Sequence, residues 1–216
     1  MIQKKIKEIR DSINKDIELV AVSKTKSKKE ILEAYNAGQK VFGENKIQEM
    51  TVKHEELPKD IKWHMVGHVQ SNKIKYMAPY VELVHGIDSL KSVKILNKEA
   101  KKNNRVIKCL LQLKISDEFT KFGLSKIEIE SILNSINILG LKNINVAGIM
   151  TIGSFTENMN VVIKEFEKSK KIFDELKITF PNLKILSMGM SNDYKMAIKH
   201  GSNMIRVGSL IFGKRI

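Results

Sequence analysis

A chain of 216 residues, 42% hydrophobic and 29% charged, has the size and balance of one soluble domain, and it can bury roughly 70% of its unfolded surface without staples. Cys109 is the only cysteine, which excludes a disulfide framework and a cysteine-based metal site and makes a reducing cytoplasm the expected setting. The net charge of +14 comes from 34 lysines scattered along the chain and only four arginines, with 6% aromatics, so it reads as a solvated surface and not as a specific nucleic-acid interface built on arginine forks and stacking rings.

The elements follow in chain order. Ile2, Ile6, Ile9 and Ile13 recur at helical spacing among charged residues, which predicts an amphipathic helix over 2–14 and argues against a signal peptide. The apolar run 17–22 predicts a first strand, closed by Lys24. Ser27 is a cap for a helix over 28–37, which Gly38 ends. A strand at 40–42 runs into Gly43-Glu44-Asn45, and a helix over 46–56 follows. Strand 62–66 is succeeded by a helix over 71–77 capped by Ser71, and strand 81–84 by a helix over 89–103 capped by Ser89. Strand 106–113 precedes a helix over 125–139, bounded by Ser125 and Gly140. The last units are strand 144–149, helix 157–178, strand 183–187, helix 192–200 with Gly201 after it, and strand 204–207. No window approaches a membrane span in length.

Strands separated by helices imply parallel pairing, and strands covered on both faces read as near-continuous apolar runs such as Cys109 to Leu113. Eight strands and eight helices predict an α/β fold with one domain over 1–216, a (β/α)8 TIM barrel with an extra N-terminal helix. A dinucleotide-binding sheet would want a glycine-rich turn after its first strand, and Ser23-Lys24-Thr25-Lys26 has none.

In such a barrel the ends of strands one, seven and eight are neighbours on one face. Lys24 lies at the first of them. Apolar walls and a nearby cation, for which Lys26 is the candidate, would favour its neutral, nucleophilic amine. At the other two ends stand Ser187-Met-Gly-Met-Ser191 and Arg206-Val-Gly-Ser209, whose glycines let amides approach an anion while the serines add donors. Tight turns without a ligand are the alternative. Arg206 in an apolar strand end needs an acceptor, either the ring nitrogen of a pyridine cofactor or a structural carboxylate. An amine facing an anion cradle suits an aldehyde that carries a phosphate, which points to pyridoxal phosphate. The stretch Gly208 to Lys214 has phosphate-loop spacing, but Arg215 replaces its serine or threonine. His64, His68 and His85 could suggest a metal-dependent hydrolase, yet no carboxylates are arranged beside them, and packed or hydrogen-bonded histidines are expected.

These segments resemble the YggS/PROSC family of pyridoxal phosphate homeostasis proteins. The matching blocks are Ala-Val-Ser-Lys-Thr-Lys at 21–26, Phe-Gly-Glu-Asn at 42–45, Trp63-His64 with Gln70-Ser-Asn-Lys73, and Lys121-Phe-Gly-Leu124. Gly148-Ile-Met-Thr-Ile152, Leu186-Ser-Met-Gly-Met-Ser191 and Arg206-Val-Gly-Ser-Leu-Ile-Phe-Gly213 complete them, so the resemblance spans the chain. It implies an alanine-racemase N-terminal-like barrel that holds pyridoxal 5'-phosphate and takes part in its intracellular homeostasis or carriage, without established turnover. Carried over by motif, Lys24 would form the Schiff base, Ser191, Gly208 and Ser209 would hold phosphate, Arg206 would face the pyridine nitrogen, and Asn45 and Met188 would lie close to the cofactor. Lys46 stands where tyrosine is common in the family and Gly153-Ser154 where alanine-proline is, so the rim is expected to differ in shape.

The competing reading is a pyridoxal-dependent amino-acid racemase. Racemisation needs acid/base groups on both faces of the substrate carbon, and Tyr35, Tyr76, Tyr80 and Tyr194 all sit in or beside helical segments. Related racemases draw the second group from an additional β-domain, for which this chain has no length left. The expected partners are pyridoxal phosphate and the apo-enzymes that depend on it, with no nucleic acid and no membrane, for a monomeric chain in the cytoplasm.

Overall fold

The structure, a computed structural model, describes residues 1–115 and 123–213; Lys121 and Phe122 of the 121–124 block, and Lys214 and Arg215, lie outside them. In chain order the elements are α1 (Ile2–Asp11), β1 (Glu18–Val22), α2 (Lys28–Asn36), β2 (Val41–Glu44), α3 (Ile47–Glu56) and β3 (Lys62–Met65). A 3-10 turn (Ser71–Lys73) leads into α4 (Ile74–Met77), followed by β4 (Leu83–Ile87), α5 (Leu90–Lys102), β5 (Ile107–Leu113) and α6 (Lys126–Ile138). The last units are β6 (Ile144–Thr151), α7 (Met159–Thr179), β7 (Ile185–Ser187), α8 (Tyr194–Lys199), β8 (Met204–Val207) and α9 (Ser209–Phe212).

The strands close into a barrel in the order β1 to β8, and every pair is parallel. The closing pair is β1 with β8, in the register Val20↔Arg206 and Ala21↔Val207. Alternation along each strand sorts the apolar residues into two layers. Leu19 and Ala21 pack with the helices, whereas Val20 joins Val66, Leu83, Leu110, Met150 and Met204 in the barrel interior. Below this layer, at the amino ends, Lys108 pairs with Glu82 at 3.1 Å. Burial raises the neighbouring Glu18 carboxyl, with Lys62 and Lys108 opposing. The filled interior leaves the carboxyl-end face as the mouth.

The helices bury single stripes. α1 buries Ile2, Ile6 and Ile9 and packs on α2 and α9. It thereby covers part of the ring where the four-residue α9 is too short to do so. The helix expected through residue 14 stops at Asp11, because the Ser12 hydroxyl turns back to the Ile9 carbonyl at 2.8 Å. Ser27 and Ser125 each complete a reciprocal capping box, with Glu30 and Glu128. Ser89 caps α5 through the Ser92 amide at 3.2 Å. Ser71 does not cap: Gln70 occupies that position and the segment begins as a 3-10 turn.

Candidate functional site

Because every strand is parallel, the chain after β1, β2, β7 and β8 converges on one rim. Lys24 comes two residues after the end of β1, half-buried. It lies in the turn that follows Val20 and Val22, which face the barrel interior. Thr25 follows with φ +64°, a left-handed conformation that is a genuine outlier for a β-branched residue. The residues on both sides of Lys24 are pinned. Ser23 donates its amide to the Gly43 carbonyl at 2.9 Å and its hydroxyl to Glu44 Oε1 at 2.6 Å. The Thr25 amide donates to Glu49 Oε1 at 2.6 Å.

Opposite this turn lie the small-residue loops. The amides of Gly208 and Leu210 both donate to Ser191 Oγ, at 3.2 and 3.3 Å, so two donors converge on one oxygen. Ser209 opens α9 and is exposed. Gly208 packs tightly on β1: a Cβ there would sit 3.1 Å from the Val22 carbonyl oxygen. That contact sets Gly208 beside Val22, two residues before Lys24 in the chain. Gly189, at φ +96°, lets the β7 loop turn, and a Cβ on it would meet the Ala197 side chain at 2.6 Å. Met188 does not reach this surface with its side chain. It is fully buried in the core shared with the helices, and its amide and carbonyl both bond Ser202 Oγ.

Arg206 ends a polar chain that crosses the interior under the mouth. Its Nη1 donates to Ser187 Oγ at 2.6 Å and its Nη2 to the Thr151 carbonyl at 2.8 Å. Ser187 Oγ lies 3.5 Å from His85 Nδ1, and His85 Nε2 lies 3.1 Å from His64 Nδ1. No carboxylate makes an ion pair with Arg206 among the described residues, although Asp193 is close enough to favour its charge. Burial brings Arg206 down to about 10, so the guanidinium keeps its proton at neutral pH. Burial also holds the His64 imidazolium down to about 3 and His85 well below the usual range, with the Lys62 and Lys108 charges adding to the first and His64 and Arg206 to the second. Both rings are neutral, as expected of packed, hydrogen-bonded histidines. His68 is half-exposed, 3.3 Å from Asp88. No group of three or more metal-ligating side chains occurs among the described residues.

Asn45 follows β2 on the interior side with Gly43, half-buried at the rim; Lys46, not Asn45, is the cap position of α3. The structure therefore brings Lys24, Asn45, Ser191, Arg206, Gly208 and Ser209 to one end of the barrel and leaves the Met188 side chain behind it. Lys26 is not a bare cation beside Lys24, because its Nζ bonds the Phe212 carbonyl at 3.0 Å and lies 3.3 Å from Glu30. The support under the first turn was not anticipated. Lys53 of α3 is buried and donates to Ser23 O, Glu44 Oε1 and Glu49 Oε1 at 2.8, 2.8 and 2.7 Å. Its signal was a lysine on the apolar stripe of Ile47 and Met50, four residues after a glutamate. An open groove of about 620 Å³ between α7 and α8 lies elsewhere on the surface, and its Lys170 and Asp174 pair with each other.

The family described as alanine racemase, N-terminal domain, matches residues 1–215. A curated protein of Aquifex aeolicus, named pyridoxal phosphate homeostasis protein, is 38% identical over 202 residues, covering 91% of this chain and 86% of its own. The Haemophilus influenzae protein of the same name is 37% identical over 223 residues, covering 100% and 93%. Among solved structures, PipY of Synechococcus elongatus with PLP bound superposes with TM-score 0.91 at 31% identity, covering 99% of this chain and all of that one. Alanine racemase of Clostridium difficile superposes with TM-score 0.78 at 15% identity over 59% of its length, a likeness of fold.

Proposed function

The chain belongs to the alanine racemase N-terminal domain family, and from that premise we propose that it binds pyridoxal 5'-phosphate at the rim described above and serves to hold and hand on this cofactor. The observation that carries the reading is the contact of Gly208 on Val22, which sets two convergent amides beside the turn bearing Lys24. The residues fit the group. Two N–H donors that already share one oxygen can take an anion oxygen, and a neighbouring primary amine can take an aldehyde. Pyridoxal phosphate held there would supply an electrophilic aldehyde, and Lys24 would be the primary amine presented to it.

Lys24 is the residue that would form the covalent link. Ser191, Gly208 and Ser209 would hold the phosphate, with Asn45 beside the ring. Met188 would stand behind the site, since its side chain packs outside the barrel and its amide and carbonyl both bond Ser202 Oγ. Arg206, fixed by Ser187 and the Thr151 carbonyl, would present a cation to the pyridine nitrogen. A permanent donor there keeps that nitrogen unprotonated and weakens the ring as an electron sink, which favours storage over carbanion chemistry.

A role without turnover is supported by the tyrosines as well. Tyr35 donates to Asp60 at 2.7 Å, Tyr80 lies 3.0 Å from the Thr51 hydroxyl, and buried Tyr194 lies 3.4 Å from the Ser12 hydroxyl. Each of these three hydroxyls already has a partner. Among the described residues no helix is long and apolar enough to cross a membrane. We place the protein in the cytoplasm as a monomer, with pyridoxal-dependent apo-enzymes as recipients.

Titration with pyridoxal phosphate should produce the visible absorbance of a lysine-bound cofactor, and Lys24→Ala should abolish borohydride trapping. Pyridoxal lacking the phosphate should bind far more weakly. Racemase or transaminase turnover that vanished with Lys24→Ala would replace storage by catalysis.

A further inference from the structure

We propose that Glu49, backed by Lys53 and Glu44, is a positioning residue for Lys24: it holds the left-handed turn at Thr25 that aims the Lys24 amine. The inference rests on the reading of Lys24 as the binding amine and adds what governs how fast and how tightly that amine captures its aldehyde.

The argument starts from the backbone. A β-branched residue at φ +64° persists only where its surroundings hold it. Here the holding group is one carboxylate oxygen, Glu49 Oε1, which accepts the Thr25 amide at 2.6 Å and the Lys53 ammonium at 2.7 Å. Lys53 is 7% exposed, and its three donors go to Glu49, Glu44 and the Ser23 carbonyl, which is the full capacity of an ammonium. Glu44 in turn accepts the Ser23 hydroxyl. Every bond of this cluster that reaches the turn after β1 therefore lands on the residue just before or just after Lys24.

The same helix provides a contrast. Glu56 pairs with Lys28, and both side chains stand well in solvent at 40% and 53% exposure. Such a pair screens easily and constrains little. The buried cluster instead ties α3 and β2 to the two peptide units that aim one side chain.

The test compares Glu49→Ala and the milder Glu49→Gln with Glu56→Ala as a control on the same helix. Cofactor affinity, the rate constant for appearance of the visible band, and borohydride trapping at Lys24 are measured, with thermal unfolding recorded in parallel. Glu49→Ala should weaken binding and slow capture by roughly tenfold, the scale of one charge-assisted hydrogen bond. Glu49→Gln should fall between it and the wild type, and Glu56→Ala should match the wild type. Adding Thr25→Gly to Glu49→Ala should restore the capture rate, because glycine adopts the left-handed turn unaided. A merely structural carboxylate would not be rescued in this way. Wild-type capture in Glu49→Ala, or a loss that Thr25→Gly leaves in place, overturns the inference alone. Failure of the wild-type protein to form a Lys24 adduct overturns both it and the proposed function.

Discussion

The buried histidine pair makes a quantitative prediction about acid stability. His64 and His85 sit in the barrel interior, 3.1 Å apart, facing Lys62 and Lys108 on one side and Arg206 on the other. Burial holds His64 down to about 3 in the folded protein, against an ordinary value of 6.5 in the unfolded chain. A depressed imidazole contributes stability that is present above the unfolded value and is lost as pH falls toward the folded one. Between pH 6.5 and about 3, the unfolded chain therefore binds close to one more proton at this site, and stability should fall by about 1.4 kcal/mol per pH unit. From pH 7.5 to pH 5 that amounts to about 2 kcal/mol for His64 alone, with His85 acting in the same direction. Urea unfolding at half-unit steps across this range measures the slope. His64→Leu keeps the site filled and apolar, so the slope should drop by about one proton while stability at pH 5 rises relative to that at pH 7.5. An unchanged slope in His64→Leu would refute the claim that this ring is neutral and buried.

Two further substitutions probe the rim and the scaffold separately. Gly208→Ala brings a Cβ to 3.1 Å from the Val22 carbonyl and 3.3 Å from Val22 Cβ, so the loop and β1 must move apart by a few tenths of an ångström. Isothermal titration should show cofactor affinity reduced by roughly tenfold or more, for about 1–2 kcal/mol of lost stability. Ser125→Ala opens the capping box of α6, on a helix outside the rim. Urea unfolding should show about 1 kcal/mol of lost stability with an unchanged m-value, while cofactor affinity stays at the wild-type level.

The barrel was legible because its local signals agree. Parallel strands buried on both faces read as apolar runs, and Ser27, Ser89 and Ser125 mark helix starts by a side-chain mechanism that does not depend on the rest of the fold. Boundaries moved where a local competitor intervened: Ser12 bonding back to Ile9 shortened α1, and Gln70 took the position read for Ser71. Strand β6 runs two residues further than the reading 144–149, to Thr151, whose carbonyl meets Arg206. Side-chain direction was less visible. Met188 and Ser187 are adjacent, and nothing in the motif tells which one faces the interior; register does, pairing Ser187 with Met204 and sending Met188 outward. Lys53 was hidden for a different reason, since a lysine in a lysine-rich chain reads as surface until its acceptors are known.

The two sides of the rim are built by opposite physical means. On the β7–β8 side, backbone approach does the positioning: glycines at 189 and 208 remove side chains so that amides can converge on one oxygen, with little charge nearby except Arg206 and Asp193. On the β1 side, charge does the positioning, through a lysine and two glutamates under a strained threonine. The difference follows from what each side has to hold. An anion is bound by main-chain donors fixed in space, and these need close packing more than countercharge. An amine that forms a covalent bond must keep its direction while its own charge changes, and a buried network that ties down the residues on both sides of it holds its base in place. Burial raises the Glu44 carboxyl, so acid that protonates it should slacken the amine side, where the Ser23 hydroxyl and Lys53 both bond it.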